Sequence, residues 1–211
     1  MSDSKLSALA QLPAGAFRRQ DESDDGRFYA PERLVTHIDE GAIAALTAHY
    51  RSVLSPGADV LDLMSSWVSH LPDDLRLGDV VGQGMNRAEL EANPRLTQRL
   101  MHDLNRDPGL PLGDAAFDAA LCCVSVQYLV QPAEVFSDVR RMLRPGGRVH
   151  ISISNRCFPT KAVRIWLELD LQNRARLVAL YLEAAGFRDI GGDVLADGLH
   201  GDPLIVVSGT A

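Results

Sequence analysis

The sequence predicts an α/β protein, a three-layer sandwich in which helices cover both faces of a mostly parallel sheet. Short apolar runs alternate with segments of helical periodicity from Asp59 onward, which is typical of consecutive β-α units. One of these runs, 117–124, is apolar almost throughout and is therefore predicted to be a central strand. Two further runs, 187–196 and 204–208, are joined by a turn rich in glycine and aspartate. They predict an antiparallel strand pair at the end of the sheet.

The N-terminal half of the chain supplies one long helix, three strands and a second helix. Residues 41–54 have apolar side chains at helical spacing, and the Ser-Pro-Gly sequence at 55–57 ends that helix. Predicted strands follow at 60–63, 79–82 and 99–102. Asn86 precedes Glu89 by three residues. This is the spacing of a capping box, with asparagine in place of serine or threonine, and it predicts a helix start at Asn86.

The C-terminal half continues the alternation of strands and helices. After the central strand at 117–124, Pro132 opens a helix whose apolar side chains face the sheet. The sequence Leu-Arg-Pro-Gly-Gly at 143–147 ends this helix, and a fifth strand is predicted at 148–154. Two helical stretches follow at 159–169 and 173–185. With the last strand pair, the prediction is a seven-stranded sheet that is parallel except at its end.

Composition and charge exclude several classes of protein. The chain has 211 residues, of which 46% are hydrophobic and 23% are charged, as expected for one ordinary globular domain. No apolar run reaches the roughly 18 residues that a membrane span requires. The net charge of −7 argues against binding to nucleic acid or to a membrane surface. Neither kind of partner is therefore expected.

The N-terminal segment is expected to be a partly loose tail. Residues 1–26 include the run 18–26, which is too polar to pack against a core. The same segment lacks the continuous apolar stretch of an export signal. A single domain is predicted for residues 27–211.

The cysteines and histidines do not predict a metal site. Cys122, Cys123 and Cys157 lack the spacing of metal ligands or of a redox pair. They fit free thiols in a reducing compartment. A cytoplasmic protein without a bound metal is therefore expected.

Several short motifs, taken in their order along the chain, carry a resemblance to a known family. They are VLDL at 60–63, VVGQGMN at 80–86, HDLN at 102–105, FDAALCCVSVQYL at 117–129, RMLRPGGRVHISIS at 141–154, EAAGF at 183–187 and DPLIVV at 202–207. In this combination they resemble the class I S-adenosylmethionine-dependent methyltransferases over about residues 58–209. The variant SSWVSHLP at 65–72 resembles a branch of that family whose first motif lacks glycine. The resemblance implies a Rossmann-like fold, S-adenosyl-L-methionine as the cofactor, and a lid segment with its helix at 27–55.

The resemblance assigns cofactor contacts to residues that follow the first four strands. Asp62 matches the acidic residue of the first motif, and Ser65 and Ser66 stand where glycines pass the methionine part of the cofactor. Met85 matches the residue that stacks on adenine, and the pair at 103–104 matches two further adenine contacts. The candidate cofactor-binding residues are Asp62, Ser65, Ser66, Gly84, Met85, Asn86, Asp103, Leu104, Val124 and Ser125.

Two departures from the family pattern concern the cofactor. The loop after the first strand has no glycine, and Gly84 stands where the family has a carboxylate that binds both ribose hydroxyls. A hydroxyl without its acceptor loses about 0.5–1.5 kcal/mol. Asn86 could replace the acceptor, although its capping position competes for the same side chain. Trp67 would block the site if it pointed inward and is expected to pack under the loop. Because serine hydroxyls can still donate to a carboxylate, the loop is interpreted as altered but working.

The acceptor side of the site is less specific in sequence. An in-line methyl transfer depends mainly on holding two reactants together, so it needs no fixed catalytic signature. Val-Ser-Val-Gln at 124–127 lacks the Asn-Pro-Pro-Tyr type of run found in amide or base methylation and favours a small-molecule acceptor. The candidates for substrate binding are Tyr29, Gln127, Asn155 and Arg156, and the candidates for catalysis are His37 and Tyr128.

A basic stretch leaves two interpretations of the substrate open. Residues 139–165 contain several arginines and no acidic residue. The stretch is either a solvated helix face with its cations at a helix C-terminus, or it attracts an anionic substrate group through Arg156 or Arg164.

The predicted function is S-adenosylmethionine-dependent methyl transfer to a small-molecule acceptor. The alternative is a non-catalytic binding or regulatory protein on a methyltransferase fold that has weakened or lost its cofactor. A nicotinamide-dependent enzyme is disfavoured, because G-x-G-x-x-G after the first strand and an acid after the second are both missing.

Overall fold

The computed structural model describes residue 9 and residues 11–211. The strands are β1 (Val60–Leu63), β2 (Val80–Gly84), β3 (Gln98–Met101), β4 (Phe117–Cys123), β5 (Leu143–Ile153), β6 (Arg188–Ala196) and β7 (Leu204–Thr210). The helices that concern the site and the core are α1 (Asp25–Tyr29), α2 (Glu40–Val53), α3 (Arg87–Ala92), α4 (Pro132–Met142), α5 (Arg164–Glu168) and α6 (Leu171–Ala184), and a single 3₁₀ turn spans Val126–Tyr128. No helix of the described residues is long and apolar enough to cross a membrane.

The seven strands form one sheet in the order β3-β2-β1-β4-β5-β7-β6. Strands β1 to β5 are parallel, and β7 runs antiparallel between β5 and β6. The order of the strands along the chain changes direction between β1 and β4. Ligands of open α/β sheets bind at such a position. The predicted fold class is therefore confirmed.

The sheet is covered by helices on both faces because its strands bury both sets of alternating side chains. Leu61 and Leu63 of β1 pack on the face that carries α4 and α6. Val60 packs on the opposite face, where α2 contributes Leu46 and Tyr50. Both of these α2 side chains are fully buried. Asp62, on the same strand, is the one polar residue of a strand that is otherwise apolar, and it lies at the edge where the site forms.

Residues 11–26, expected to belong to a loose tail, pack against the domain. The carboxylate of Asp25 accepts from Arg19 at 2.9 and 2.7 Å and lies 3.0 Å from the ammonium of Lys161. The backbone N–H of Ile165 donates to the carbonyl of Ala16 at 2.9 Å. Asp25 is buried together with Arg19 and Lys161, and this pairing is the condition under which ions can be buried. Arg18 and Glu22 instead pair at the surface. The rest of the predicted tail, residues 1–8 and 10, lies outside the described part of the chain.

The observed boundaries differ from the predicted ones mainly around β5. The Leu-Arg-Pro-Gly-Gly turn belongs to β5, which starts at Leu143 because Leu143 already pairs with Phe117 of β4. The helix predicted at 159–169 is reduced to α5, Arg164–Glu168. Before it, Val163 is extended and forms an isolated β-bridge with Arg19. A tertiary contact with the N-terminal segment therefore displaces the start of this helix.

Candidate cofactor and acceptor site

A cavity of about 520 Å³ lies at the carboxyl ends of the parallel strands. Its floor is formed by the residues that follow β1, β2, β3 and β4, and its roof by a segment that we call the lid, residues 29–39. The volume is in the ordinary range for a site that binds a small molecule or cofactor. All predicted site residues line this cavity except Gln127 and Asn155.

The turn after β1 achieves a glycine-like conformation without glycine. Met64 has a φ of 52°, a left-handed conformation that costs a non-glycine residue about 1–2 kcal/mol. Its backbone N–H donates to the side-chain oxygen of Gln83 at 2.9 Å, and the N–H of Ser65 donates to the carbonyl of Gln83 at 2.6 Å. The amide nitrogen of Gln83 donates in turn to the carbonyl of His102. Gln83 therefore holds the loop to β2 and to the end of β3.

A glycine in this loop usually allows a neighbouring group to approach the backbone closely. Here the close approach occurs at Gly84, the last residue of β2. A Cβ at position 84 would lie 2.5 Å from the carbonyl oxygen of Ser65 and 3.1 Å from Leu90. Real Cβ atoms do not come this close to a backbone oxygen, so the loop and β2 pack together only because residue 84 has no side chain. The loop without glycine and the residue without a carboxylate at the end of β2 are thus in direct contact.

Asp62 is buried beneath this loop and organises it. Its Oδ2 accepts hydrogen bonds from the hydroxyls of Ser65 and Ser69, both at 2.6 Å. Burial raises the pKa of Asp62 to about 6, against the opposing effect of the two hydroxyls. Ser69 also accepts from the side-chain amide of Asn93. Ser65 and Ser69 of the SSWVSHLP sequence therefore satisfy the carboxylate at the end of β1.

The side chains of Ser66 and Asn86 are committed to contacts within the protein. The hydroxyl of Ser66 donates to Glu89 at 2.6 Å. The side-chain oxygen of Asn86 caps α3 by accepting from the N–H of Glu89, and its amide donates to the carbonyls of Tyr29 and Ala30 at 2.9 and 3.1 Å. The capping position predicted from the sequence is correct, and the cap occupies one of the two acceptor positions of the Asn86 side-chain oxygen.

The lid is fastened to the floor of the cavity at two further points. The backbone N–H of Arg33 donates to Glu89 at 2.7 Å. The indole N–H of Trp67 donates to the carbonyl of Val35 at 3.0 Å. Trp67 was expected to pack under its loop, but it reaches up to the lid, because the indole N–H finds its acceptor there.

The adenine-side candidates follow β2 and β3 at the same edge. Gly84 pairs with Met101 in the parallel register, which brings Met85 close to the residues after β3. Leu104 is buried, and Asp103 accepts from the N–H of Asn105 at 2.9 Å. Asn105 was not predicted from the sequence, although it holds this corner together. Its amide donates to Asp25 and to the carbonyl of Tyr128, both at 2.9 Å.

The end of β4 carries a strained residue at the centre of the site. Val124 has a φ of 40°, which is a genuine outlier for a β-branched residue and costs about 1–3 kcal/mol. Its N–H donates to the carbonyl of Ser152 at 3.0 Å, and its carbonyl accepts from the amide of Gln127 at 2.7 Å. Gln127, a candidate for substrate binding, is therefore buried beneath the turn and does not face the cavity.

Aromatic side chains form the acceptor side of the cavity. Tyr128 stacks on Phe158 with ring centroids 6.0 Å apart, and its hydroxyl accepts from the N–H of Phe158 at 2.8 Å. Burial raises the pKa of Tyr128 to about 12. The hydroxyl of Tyr29 is buried and has no hydrogen-bond partner within the described part of the chain, and burial raises its pKa above the ordinary value. An unpaired buried hydroxyl in a cavity is a group that a ligand could satisfy.

Two histidines face the same space. His37 packs edge-on against Phe158 with ring centroids 5.4 Å apart. His37 is partly exposed, and the desolvation of its cavity-facing side lowers its pKa; burial likewise lowers the pKa of His70. Both imidazoles are therefore neutral at pH 7, which is the state that can accept a proton. No group of three or more His, Cys, Asp or Glu side chains suited to a metal ion occurs among the described residues.

The two arginines of the basic stretch that were considered for an anionic substrate are each paired with an acid. The guanidinium of Arg156 donates to Asp202 at 2.8 Å, and Arg164 pairs with Glu168 on the surface of α5. Arg156 lies at the rim of the cavity but carries no unpaired charge into it. Asn155 is exposed and lies outside the cavity. The acid that neutralises Arg156 is distant in sequence, so the local absence of acidic residues did not predict a free cation.

Comparison with known proteins agrees with this geometry. Residues 69–151 match the family model described as a methyltransferase domain. An S-adenosylmethionine-dependent methyltransferase from Mesorhizobium loti has the same fold, with a TM-score of 0.57 and 17% identity over 80% of this chain and 98% of that chain. The fold is that of a class I methyltransferase. The predicted resemblance is thereby confirmed, and the comparisons support S-adenosylmethionine as the cofactor of this methyltransferase fold.

Two other proteins are similar to this chain, one in structure and one in sequence. The structure described as the [4+2]-cyclase SpnF has a TM-score of 0.61 and 16% identity over 99% of this chain and 92% of that chain. A protein of 37.1 kDa encoded in transposon TN4556 of Streptomyces fradiae is 29% identical over 128 residues, or 54% of this chain. The match spans 37% of that relative's own length. The fold is thus shared among proteins of different activity.

The residues of this methyltransferase fold suit the cofactor. S-adenosylmethionine carries an ammonium and a sulfonium, and the cavity presents the carboxylates of Asp62, Glu89 and Asp103. None of these three has a cationic side chain within 4.0 Å among the described residues, whereas Asp25 and Asp202 are both paired. The apolar surfaces of Met85 and Leu104 lie beside them. A cationic ligand with a flat, partly apolar part matches this lining.

Proposed function

We propose that the protein transfers a methyl group from S-adenosylmethionine to a small-molecule acceptor. The observation that carries this proposal is the continuity of the cavity. Its floor is the strand edge where methyltransferases hold the cofactor, and its other side is an aromatic chamber partly covered by the lid. A chamber of this size under a fastened lid suits a small acceptor better than a protein side chain or a nucleic acid base in its polymer.

The cofactor would be held by residues that follow β1 to β4. Asp62, whose orientation is set by Ser65 and Ser69, would face the methionine part. Met85, Asp103 and Leu104 would hold the adenine. The hydroxyls of Ser65 and Ser66 both donate within the protein, so their oxygens and the loop backbone would meet the cofactor. When S-adenosylmethionine is bound, it supplies an activated methyl group on its sulfonium.

The chain's own contribution to catalysis is positioning, exclusion of water and removal of a proton. The lid and Trp67 cover part of the cavity, which limits the access of water to the reacting atoms. The hydroxyl of Tyr128 accepts from the N–H of Phe158. Its own proton therefore stays available to donate a hydrogen bond that orients the methyl-accepting molecule. His37 is the candidate base, because its lowered pKa leaves it neutral at pH 7.

The chamber walls favour a planar or partly aromatic acceptor. Tyr29, Tyr128 and Phe158 line one side, and Arg33 lies over the ring of Phe158 at 5.4 Å. Arg33 has no carboxylate within 4.0 Å among the described residues, in contrast to Arg156. An anionic group on the acceptor would therefore meet Arg33 rather than Arg156.

We also propose a single cytoplasmic domain spanning residues 27–211, packed on its N-terminal segment. The three cysteines are free, and burial raises the pKa of Cys122 and Cys123 to about 12. Such thiols are unreactive packing groups in a reducing compartment. Neither a nucleic acid nor a membrane is proposed as a partner, given the acidic net charge of −7.

Calorimetric titration with S-adenosylhomocysteine, followed by methyl-transfer assays on small thiols, phenols and aromatic acids, tests the proposal. We expect binding with a dissociation constant in the micromolar to sub-millimolar range and loss of binding in Asp62→Ala. Binding without methyl transfer to any of these acceptors would favour a different activity on the same fold. Absence of binding at millimolar ligand would support the alternative of a protein that has lost its cofactor.

A further inference from the structure

Glu89 is a carboxylate that the sequence comparison with the family did not assign to the site. It lies in the first turn of α3 and lines the cavity just beyond the end of β2. No cationic side chain lies within 4.0 Å of it among the described residues. A carboxylate without a counter-charge in a cavity is costly unless hydrogen-bond donors satisfy it. The donors around Glu89, and the acceptor positions that they leave free, therefore indicate which kind of ligand it binds.

Both oxygens of Glu89 are oriented by the protein but not saturated. One accepts from the backbone N–H of Arg33 at 2.7 Å, and the other accepts from the hydroxyl of Ser66 at 2.6 Å. A carboxylate has about four acceptor positions, so roughly two remain. The side chain is thus held in one orientation, with acceptor capacity left on both oxygens.

The neighbouring groups cannot provide this capacity. Position 84 has no room for a side chain, because the carbonyl of Ser65 occupies the space where its Cβ would lie. The side-chain oxygen of Asn86 already accepts from the N–H of Glu89, and as a neutral acceptor it binds hydroxyls more weakly than a carboxylate does. Glu89 is therefore the acidic side chain at this corner of the cavity that remains able to accept.

We propose that Glu89 binds a vicinal diol, namely the two ribose hydroxyls of the cofactor. Two adjacent hydroxyl donors match two carboxylate oxygens that each keep an acceptor position. The role of an acid at the end of β2 has thus moved to α3, and the move is linked to the loop that now packs on Gly84. This inference rests on the proposed function, since it requires a ligand with a ribose.

The experiment compares S-adenosylhomocysteine with its 2′-deoxy and 3′-deoxy analogues by calorimetry, for the wild type and for Glu89→Gln. In the wild type, each deoxy analogue should bind at least about tenfold more weakly, because it loses a hydrogen bond to a charged acceptor. In Glu89→Gln, S-adenosylhomocysteine should lose a similar factor, and the difference between it and the deoxy analogues should shrink to about twofold or less.

Two control variants separate this role from a purely structural one. Glu91→Gln removes a charge from the exposed face of the same helix, where Glu91 pairs with Arg87, and it should leave all three ligands unaffected. Ser66→Ala removes one of the two internal partners that orient Glu89 and should reduce, without abolishing, the distinction between the ribose and deoxyribose ligands. Thermal unfolding checks that each variant is folded.

The outcomes are distinguishable. If the deoxy penalty persists undiminished in Glu89→Gln, or if the wild type binds the deoxy analogues as tightly as S-adenosylhomocysteine, Glu89 does not bind the diol and the proposed function stands. If the wild type binds none of the three ligands, the proposed function fails together with this inference.

Discussion

Asp39 and Asp202 cap each other across the mouth of the cavity. The N–H of Asp39 donates to the carboxylate of Asp202 at 3.0 Å, and the N–H of Asp202 donates to the carboxylate of Asp39 at 2.6 Å. Arg156 donates to the second oxygen of Asp202, and the N–H of Ala42 donates to the second oxygen of Asp39. This reciprocal arrangement, which we call the clasp, joins the end of the lid to the β6–β7 connection.

The clasp predicts the behaviour of an Asp202→Ala variant. Removing this carboxylate leaves the N–H of Asp39 and the guanidinium of Arg156 without their acceptor. The free energy of unfolding should fall by about 1–3 kcal/mol, and amide hydrogen exchange in the lid should accelerate. Asp197→Ala is the matched control, because Asp197 lies in the same connection and accepts only a local hydrogen bond from Leu199. Equal lid exchange in the two variants would show that the clasp does not hold the lid.

The close packing around Gly84 predicts that a single added methyl group at this position destabilises the protein. In Gly84→Ala the new Cβ would displace the carbonyl of Ser65, which is backbone and cannot rotate away. We expect a loss of about 1–3 kcal/mol in unfolding free energy and weaker binding of S-adenosylhomocysteine. Gly113→Ala is the control, because a Cβ at that position meets nothing within 4 Å.

The same contact makes Gly84→Asp an unsuitable way to restore the family's carboxylate. The added group would enter the space of the loop before it could reach a ligand. Tighter cofactor binding in Gly84→Asp, with unchanged thermal stability, would contradict the close packing of Ser65 on Gly84.

Two buried groups predict opposing effects of pH on stability. His150 faces His49, with Nδ1 and Nε2 3.2 Å apart, and burial lowers the pKa of His150 from 6.5 to about 3, with smaller contributions from His49 and Arg148. Between pH 6.5 and 3 the unfolded chain therefore binds a proton that the folded chain does not, and stability falls as pH falls. Asp62, with its pKa raised from 3.8 to about 6, has the opposite effect between pH 3.8 and 6.

The variant His150→Gln separates these contributions. Its unfolding free energy, measured in urea from pH 7.5 to pH 4, should rise relative to wild type as the pH is lowered below 6.5. The difference should change by up to about 1.4 kcal/mol per pH unit, which is the value for one proton. Asp62→Asn should show the opposite trend between pH 4 and 6. Curves parallel to that of the wild type would mean that His150 titrates normally in the folded protein.

The elements at the floor of the cavity were largely predictable because their signals are local. The apolar run at β4 and the asparagine–glutamate spacing at α3 predicted a central strand and a cap, and both are observed. The packing of Asp25, within the polar run 18–26, was not predictable because it depends on Lys161, which lies far along the chain and packs onto Asp25. A charge pattern read locally cannot show which charges meet after folding.

The sequence by itself therefore determined the order of strands and helices, the sheet edge at which the site forms, and most of the residue types that line it. Hydrophobic periodicity and capping are properties of neighbouring residues, and parallel strands bring their carboxyl ends to one edge. The tertiary structure decided how those residues are used. It paired Arg156 with Asp202, committed Asn86 to the lid and placed the carbonyl of Ser65 against Gly84. Each of these contacts joins segments distant in the chain, and their distances depend on the packing of the whole domain.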